Sequence, residues 1–176
     1  DESRQYWWRG RVIRYAPLIL WVVVIFAASS TAGASDNTSR IIGPLLKWLL
    51  PDSSAETITV IHGYIRKLAH FTEYAFLAFF AFRAFVFSGF DFVRNYWFVW
   101  AFLTVAAIAS IDEYGQSLNP LRTGSIYDVL IDCAGGVAMI ALITVFRCHR
   151  RRRDLLGSGA PQSHSSKRDS PSDPDL

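Results

Sequence analysis

Cysteine is scarce in this chain, and its scarcity excludes two architectures. Cys133 and Cys148 stand 15 residues apart on one predicted helix, about 22 Å along its axis, far beyond the ~7 Å that a disulfide tolerates between Cα atoms. A disulfide framework is therefore ruled out, and both thiols read as structural or incidental. No thiolate accompanies the one well-placed imidazole, His70, so a zinc site has little support either. Charge is also thin, at 19% of residues, and is absent altogether from Tyr15 to Ala34. There is no internal repeat and no sign of a second domain.

What the chain does have is apolar residues, 51% of the total, gathered in blocks. Tyr15 to Ala34 is 20 residues long, and at 1.5 Å per residue it covers the ~30 Å hydrocarbon core of a bilayer. Leu68 to Phe87, Tyr96 to Ile111 and Ile126 to Phe146 are three further spans. The block of 16 residues from Tyr96 to Ile111 reaches only ~24 Å, so it either continues into Asp112 to Gln116 or thins the bilayer locally. The expected fold is an all-α membrane protein, a bundle of four transmembrane helices. Its expected divisions are a lead at 1–14, a membrane domain at 15–147, and a basic and then disordered tail at 148–176.

Orientation follows from Lys and Arg, which are retained on the cytoplasmic side of short loops. With both termini inside, the cytoplasmic segments hold 13 of the 18 basic residues, including Arg147 and Arg150 to Arg153 after the last span. The expectation is a multi-pass protein of the cell membrane with N- and C-termini in the cytoplasm. The arginine run suits anionic lipid headgroups, which makes nucleic acid an unnecessary partner. A competing reading of the first span is a secretory signal, with Arg9 to Arg14, an apolar stretch and Ala32-Gly33-Ala34 as an A-x-A cleavage site.

Between spans one and two, Ser35 to Ser39 reads as a polar turn. Ile41 to Leu50 is too short to cross a bilayer and is expected to lie as a helix in its outer interface. Ser53 with Glu56 matches a capping box opening a helix that runs on into span two. Ser88 to Asn95 is expected to be a tight turn, and His62 a solvated helix residue.

The ionisable residues inside the apolar blocks are the functional clue, because each costs at least ~2.5 kcal/mol in hydrocarbon. Lys67, His70, Glu73 and Tyr74 stand on span two, with Lys67, His70 and Tyr74 at i, i+3, i+7 on one face. Asp112 and Gln116 form an i, i+4 pair beside Glu113 at the end of span three, and Asp128 and Asp132 form another at the start of span four. In the expected topology all lie at the outer ends of their spans, and Arg122 in the intervening loop can drop over them. With His70 neutral, five carboxylates against Lys67 and Arg122 leave three uncompensated negative charges. Such a group must be protonated, solvated or matched by a cation. If a metal ion is present, the oxygen-rich set suits a divalent cation such as Mg²⁺, Ca²⁺ or Mn²⁺, and its identity is open.

At these residues the chain resembles a known family. Lys67-x-x-His70-Phe71-x-Glu73-Tyr74, then Asp112-Glu113-x-x-Gln116, then Arg122-x-Gly124-Ser125-x-x-Asp128-x-x-x-Asp132-x-x-Gly135-Gly136 is similar, in order and placement, to the signature of VanZ-like membrane proteins. The resemblance covers Tyr15 to Phe146 and implies a small four-helix integral membrane protein. The founding member is associated with low-level resistance to the glycopeptide teicoplanin. Two positions depart from the pattern: Arg66 stands where relatives often carry Asp, and Asp132 where they commonly carry Asn.

Two functional classes stay open at this point. In one, the protein acts in the cell envelope on a lipid-linked or amphiphilic substrate: Lys67, Tyr74, Gln116, Arg122 and Asp132 bind it, and His70, Glu73, Asp112, Glu113 and Asp128 carry the chemistry. In the other, the protein binds or shields a lipophilic glycopeptide without catalysis, and the cluster is a belt of interhelical hydrogen bonds. A proton-coupled carrier is a weaker third, since no inverted repeat is present. Membrane lipids are the expected partners in every case, and oligomeric state is not legible.

Overall fold

The computed structural model describes residues 2–29, 35–118 and 125–157. These residues form helices and no strands: α1 (Glu2–Ala28), α2 (Ser35–Leu49), α3 (Ala55–Val86), α4 (Asp91–Asn95), α5 (Trp97–Ser117) and α6 (Ile126–Gly157). The chain divides into two compact units, Asp1–Ile143 and Thr144–Leu176, and the boundary falls within α6.

In the first unit α3 is the hub, packing against α1, α2, α4 and α5. Its inward stripe is Tyr74, Leu77, Ala78, Ala81 and Ala84, at helical spacing, and α5 answers with Ala101, Val105 and Ala109. Small residues along both stripes bring helix backbones close, which is how helices associate where lipid supplies no hydrophobic drive between them. Leu18 and Ile25 of α1 complete this core. Helix α6 approaches through adjacent glycines: a Cβ on Gly135 would overlap the Phe71 carbonyl oxygen of α3, and one on Gly136 would stand 2.7 Å from Val105 Cγ1 of α5.

The start of α3 differs from expectation by one residue. Ser54, not Ser53, is the N-cap, with φ −64° and ψ 154°, and its hydroxyl accepts from the Thr57 N–H at 3.2 Å. Ser53 instead donates its N–H to the Leu50 carbonyl in the preceding turn. Replacing Ser54 with alanine removes one exposed cap bond, and the expected loss is about 1 kcal/mol, measured by thermal unfolding in detergent.

Other boundaries move as well. Helix α2 begins at Ser35 and passes through Pro44, so the expected polar turn at Ser35 to Ser39 is helical. Each residue added to an existing helix closes one more backbone hydrogen bond, which favours this extension. Within the expected turn at Ser88 to Asn95, Asp91–Asn95 closes a short helix, α4, held by the Arg94–Asp91 ion pair. Helix α5 carries on through Asp112 to Ser117, which answers its shortness by extension. The A-x-A segment Ala32-Gly33-Ala34 lies outside the described residues.

Among the described residues two helices are long and apolar enough to cross a bilayer, Trp97–Ser117 and Ile126–Leu155, and Val12–Ala28 is a shorter apolar stretch. Helix α3 has 32 residues, and His70, Glu73 and Arg83 dilute its apolar run. Only 28% and 17% of the two long apolar windows are buried within the protein. A soluble core helix is mostly buried; these helices turn most of their apolar surface outward.

The described part of the second unit is the end of α6, where Arg150 to Arg153 are exposed on helical backbone. The basic segment is therefore helical as far as Gly157. Cys133 and Cys148 are both free thiols, and Cys148 is exposed.

Candidate functional site

The polar residues of α3, α5 and α6 meet where the C-terminal ends of α1 and α5 and the N-terminal end of α6 surround the middle of α3. Their i, i+4 spacing turns each pair toward one side of its helix, and the Gly135 contact draws α6 onto α3. Asp112, Glu113, Gln116 and Asp132 are buried, at 3%, 6%, 7% and 0% exposure, and Tyr74 is fully enclosed. Nine of the ten residues expected at the site fall among the described residues, and Arg122 lies outside them.

Asp112 is a tie between helices. Its Oδ2 accepts from Ser29 Oγ of α1 at 2.7 Å, from Gln116 Nε2 at 3.0 Å, and at longer range from the Tyr74 hydroxyl of α3 at 3.4 Å. One carboxylate oxygen thus joins α1, α3 and α5. Glu113 does a similar job for the chain entering α6, accepting the Ser125 N–H at 2.9 Å. Arg66, where relatives often carry aspartate, lies within electrostatic reach of Glu113.

The α3–α6 contact is made of charge pairs. Lys67 Nζ stands 3.4 Å from Asp128 Oδ1, with the lysine side chain half exposed. One helical turn deeper, His70 Nδ1 stands 3.6 Å from Asp132 Oδ1. That separation exceeds a hydrogen bond, and neither Asp132 oxygen accepts one among the described residues. Asp132 also feels the charges of Glu113, Asp112, Asp128 and Glu73, so it sits at the electrostatic centre of the cluster. A buried carboxylate without donors is costly, and a catalytic role or a bound water or ion is what accounts for such groups.

Glu73 is half-buried on the α1 side of α3, and its backbone carbonyl receives the Trp21 indole N–H at 3.0 Å. Its carboxylate has no hydrogen-bond or ion-pair partner among the described residues. Lys67 stands against Asp128, and no three His, Cys, Asp or Glu side chains among the described residues are disposed to share a metal ion.

Two contributors carry no signal in the sequence. Ser29 and Trp21 are single polar atoms within an apolar run, and their partners lie 83 and 52 residues away. His62, expected to be solvated, is half-buried, and its Nε2 has no hydrogen-bond partner among the described residues.

The structure is thus a small helical protein with carboxylates gathered where its apolar helices converge. The chain belongs to the VanZ/LLP1 family, whose model matches residues 1–147, the whole of the helical unit and every site residue. No curated protein and no solved structure matches it.

Proposed function

We propose that this chain is a four-span membrane protein of the cell envelope, with both termini cytoplasmic, whose polar cluster opens toward the outer face and acts on a lipid-linked or amphiphilic substrate. The observation that carries the reading is Asp132: a fully enclosed carboxyl with no hydrogen-bond donor among the described residues, facing His70. Structure alone gains little from such a group, whereas proton exchange with an imidazole 3.6 Å away is chemistry. The membrane part of the reading rests on the outward apolar surface of α5 and α6 and on the basic residues after the last span.

The cluster then divides its labour. Asp112, Tyr74, Gln116 and Glu113 hold the helices in register. His70 with Asp132 forms the acid/base pair, Glu73 is the second candidate base, and the half-exposed Lys67, with Asp128 behind it and Arg122 nearby in sequence, receives an anionic headgroup. The VanZ-like family name supports a link to teicoplanin resistance, and the proposed substrate is a lipid-linked or amphiphilic molecule of that setting.

The non-catalytic reading draws on the Asp112 tie, which is architecture of the kind a shielding protein needs. Alanine at His70, Glu73 or Asp128 separates the two: the catalytic reading expects loss of teicoplanin protection at undiminished protein abundance, and the shielding reading expects protection to persist. The topology has its own check. Cys148 is expected to react with a membrane-impermeant maleimide in inside-out vesicles and to resist it in intact cells, and the opposite pattern refutes a cytoplasmic C-terminus.

A further inference from the structure

A groove of about 520 Å³ runs between α1 and α3. One stripe of α3 forms its floor, with Ile65, Leu68, Ala69, Thr72, Glu73 and Phe76 at helical spacing, and Trp21 of α1 forms its wall. Trp21 is fixed there by its bond to the Glu73 carbonyl and by Phe76 and Phe80, each 5.5 Å away between ring centroids. The floor is apolar and open, with Leu68 65% and Phe76 44% exposed. Thr72 satisfies its own hydroxyl on the Leu68 carbonyl at 2.8 Å and so presents its methyl group.

One group in this groove is out of keeping. Glu73 contributes a carboxylate with no cation among the described residues, while the cluster's other α3 charge, Lys67, and the His70 imidazole face α6 and are paired. Asp112 adds negative potential at Glu73. An anion or a second carboxylate is repelled from that end, an alkyl chain alone leaves Glu73 unpaired, and a protonated amine satisfies it. We infer that the α1–α3 groove is a binding site for an amphiphile bearing an alkyl chain and a primary ammonium head, the chain lying along Leu68 and Phe76 and the ammonium on Glu73. The inference rests on the envelope reading above and adds to it, at this groove, a cationic amphiphile distinct from the anionic headgroup proposed at Lys67.

The test uses the full chain in lipid nanodiscs with three photoactivatable probes of one chain length: a long-chain primary amine, the matching alcohol and the matching carboxylic acid. The amine is expected to label peptides containing Trp21 or Leu68 to Phe76 in preference to the other two. Glu73→Gln is expected to weaken that labelling at least about tenfold in concentration dependence, the fold-change of a charge-assisted hydrogen bond. Leu68→Trp, which fills the floor from a lipid-exposed position, is expected to abolish it. Equal labelling by all three probes in the unmodified protein overturns the inference even if a variant fails to fold, and so does amine labelling indifferent to Glu73→Gln. A protein that loses teicoplanin protection on Asp132→Asn yet shows no amine preference keeps the envelope reading and loses this groove. The reverse pattern keeps the groove and removes the reading.

Discussion

Replacing Gly135 with alanine is expected to deplete the folded protein more than any other single-methyl change in the chain. The added Cβ overlaps the backbone carbonyl of Phe71, which no side-chain rotation can relieve, so α6 must move away from α3. Overpacking of this kind costs about 1–3 kcal/mol. The better helix propensity of alanine returns at most about 1 kcal/mol. The loss is larger in effect than in energy, because the same displacement parts Lys67 from Asp128 and His70 from Asp132. Gly136→Ala provides the control. Its Cβ meets the side chain of Val105 at 2.7 Å, so Val105→Ala is expected to rescue Gly136→Ala and to do nothing for Gly135→Ala. Monodisperse yield on size exclusion, with thermal unfolding of what remains, measures both. Wild-type yield and melting for Gly135→Ala would mean that α3 and α6 do not approach as described.

The second large effect separates two aspartates that look alike in the sequence. Asp112→Ala strands three donors, from Ser29, Tyr74 and Gln116, and Tyr74 has no access to water. At the ~0.6 kcal/mol typical of polar contacts between membrane helices, three such losses amount to about 2 kcal/mol. Asp132→Asn removes a carboxylate that accepts no hydrogen bond among the described residues and replaces it with a neutral group of the same shape. It is expected to leave the melting temperature unchanged or raised, as replacing a functional group that makes no stabilising contact commonly does. Side-by-side melting curves in one detergent decide the matter; a marked loss on Asp132→Asn would make that residue architecture like Asp112.

Much of this site is legible in the sequence for a simple reason: charges inside apolar runs are conspicuous, and i, i+4 spacing fixes which way they point. Lys67, His70, Asp112, Gln116, Asp128 and Asp132 all carry that signature. What spacing does not encode is who meets whom across the bundle. Asp112 and Asp132 have similar local patterns, yet among the described residues one meets a serine, a tyrosine and a glutamine while the other meets only an imidazole. Ser29 and Trp21 act through one polar atom each and leave no periodic trace. The boundary of α3 shifted because Ser53 and Ser54 are chemically equivalent caps, and only the backbone of the preceding turn chooses between them. Membrane spans sit between these extremes. Helices α5 and α6 are recognisable by apolarity, whereas α3 has been diluted by the polar residues of the site itself.

The central claim is that His70 and Asp132 perform chemistry on an envelope amphiphile and do not merely hold α3 to α6. Its most direct test is the teicoplanin dose response of a susceptible host expressing the wild-type chain or Asp132→Asn at equal membrane abundance. The account predicts that protection falls to that of the empty vector while the variant stays folded. Full protection from the folded Asp132→Asn protein would contradict it.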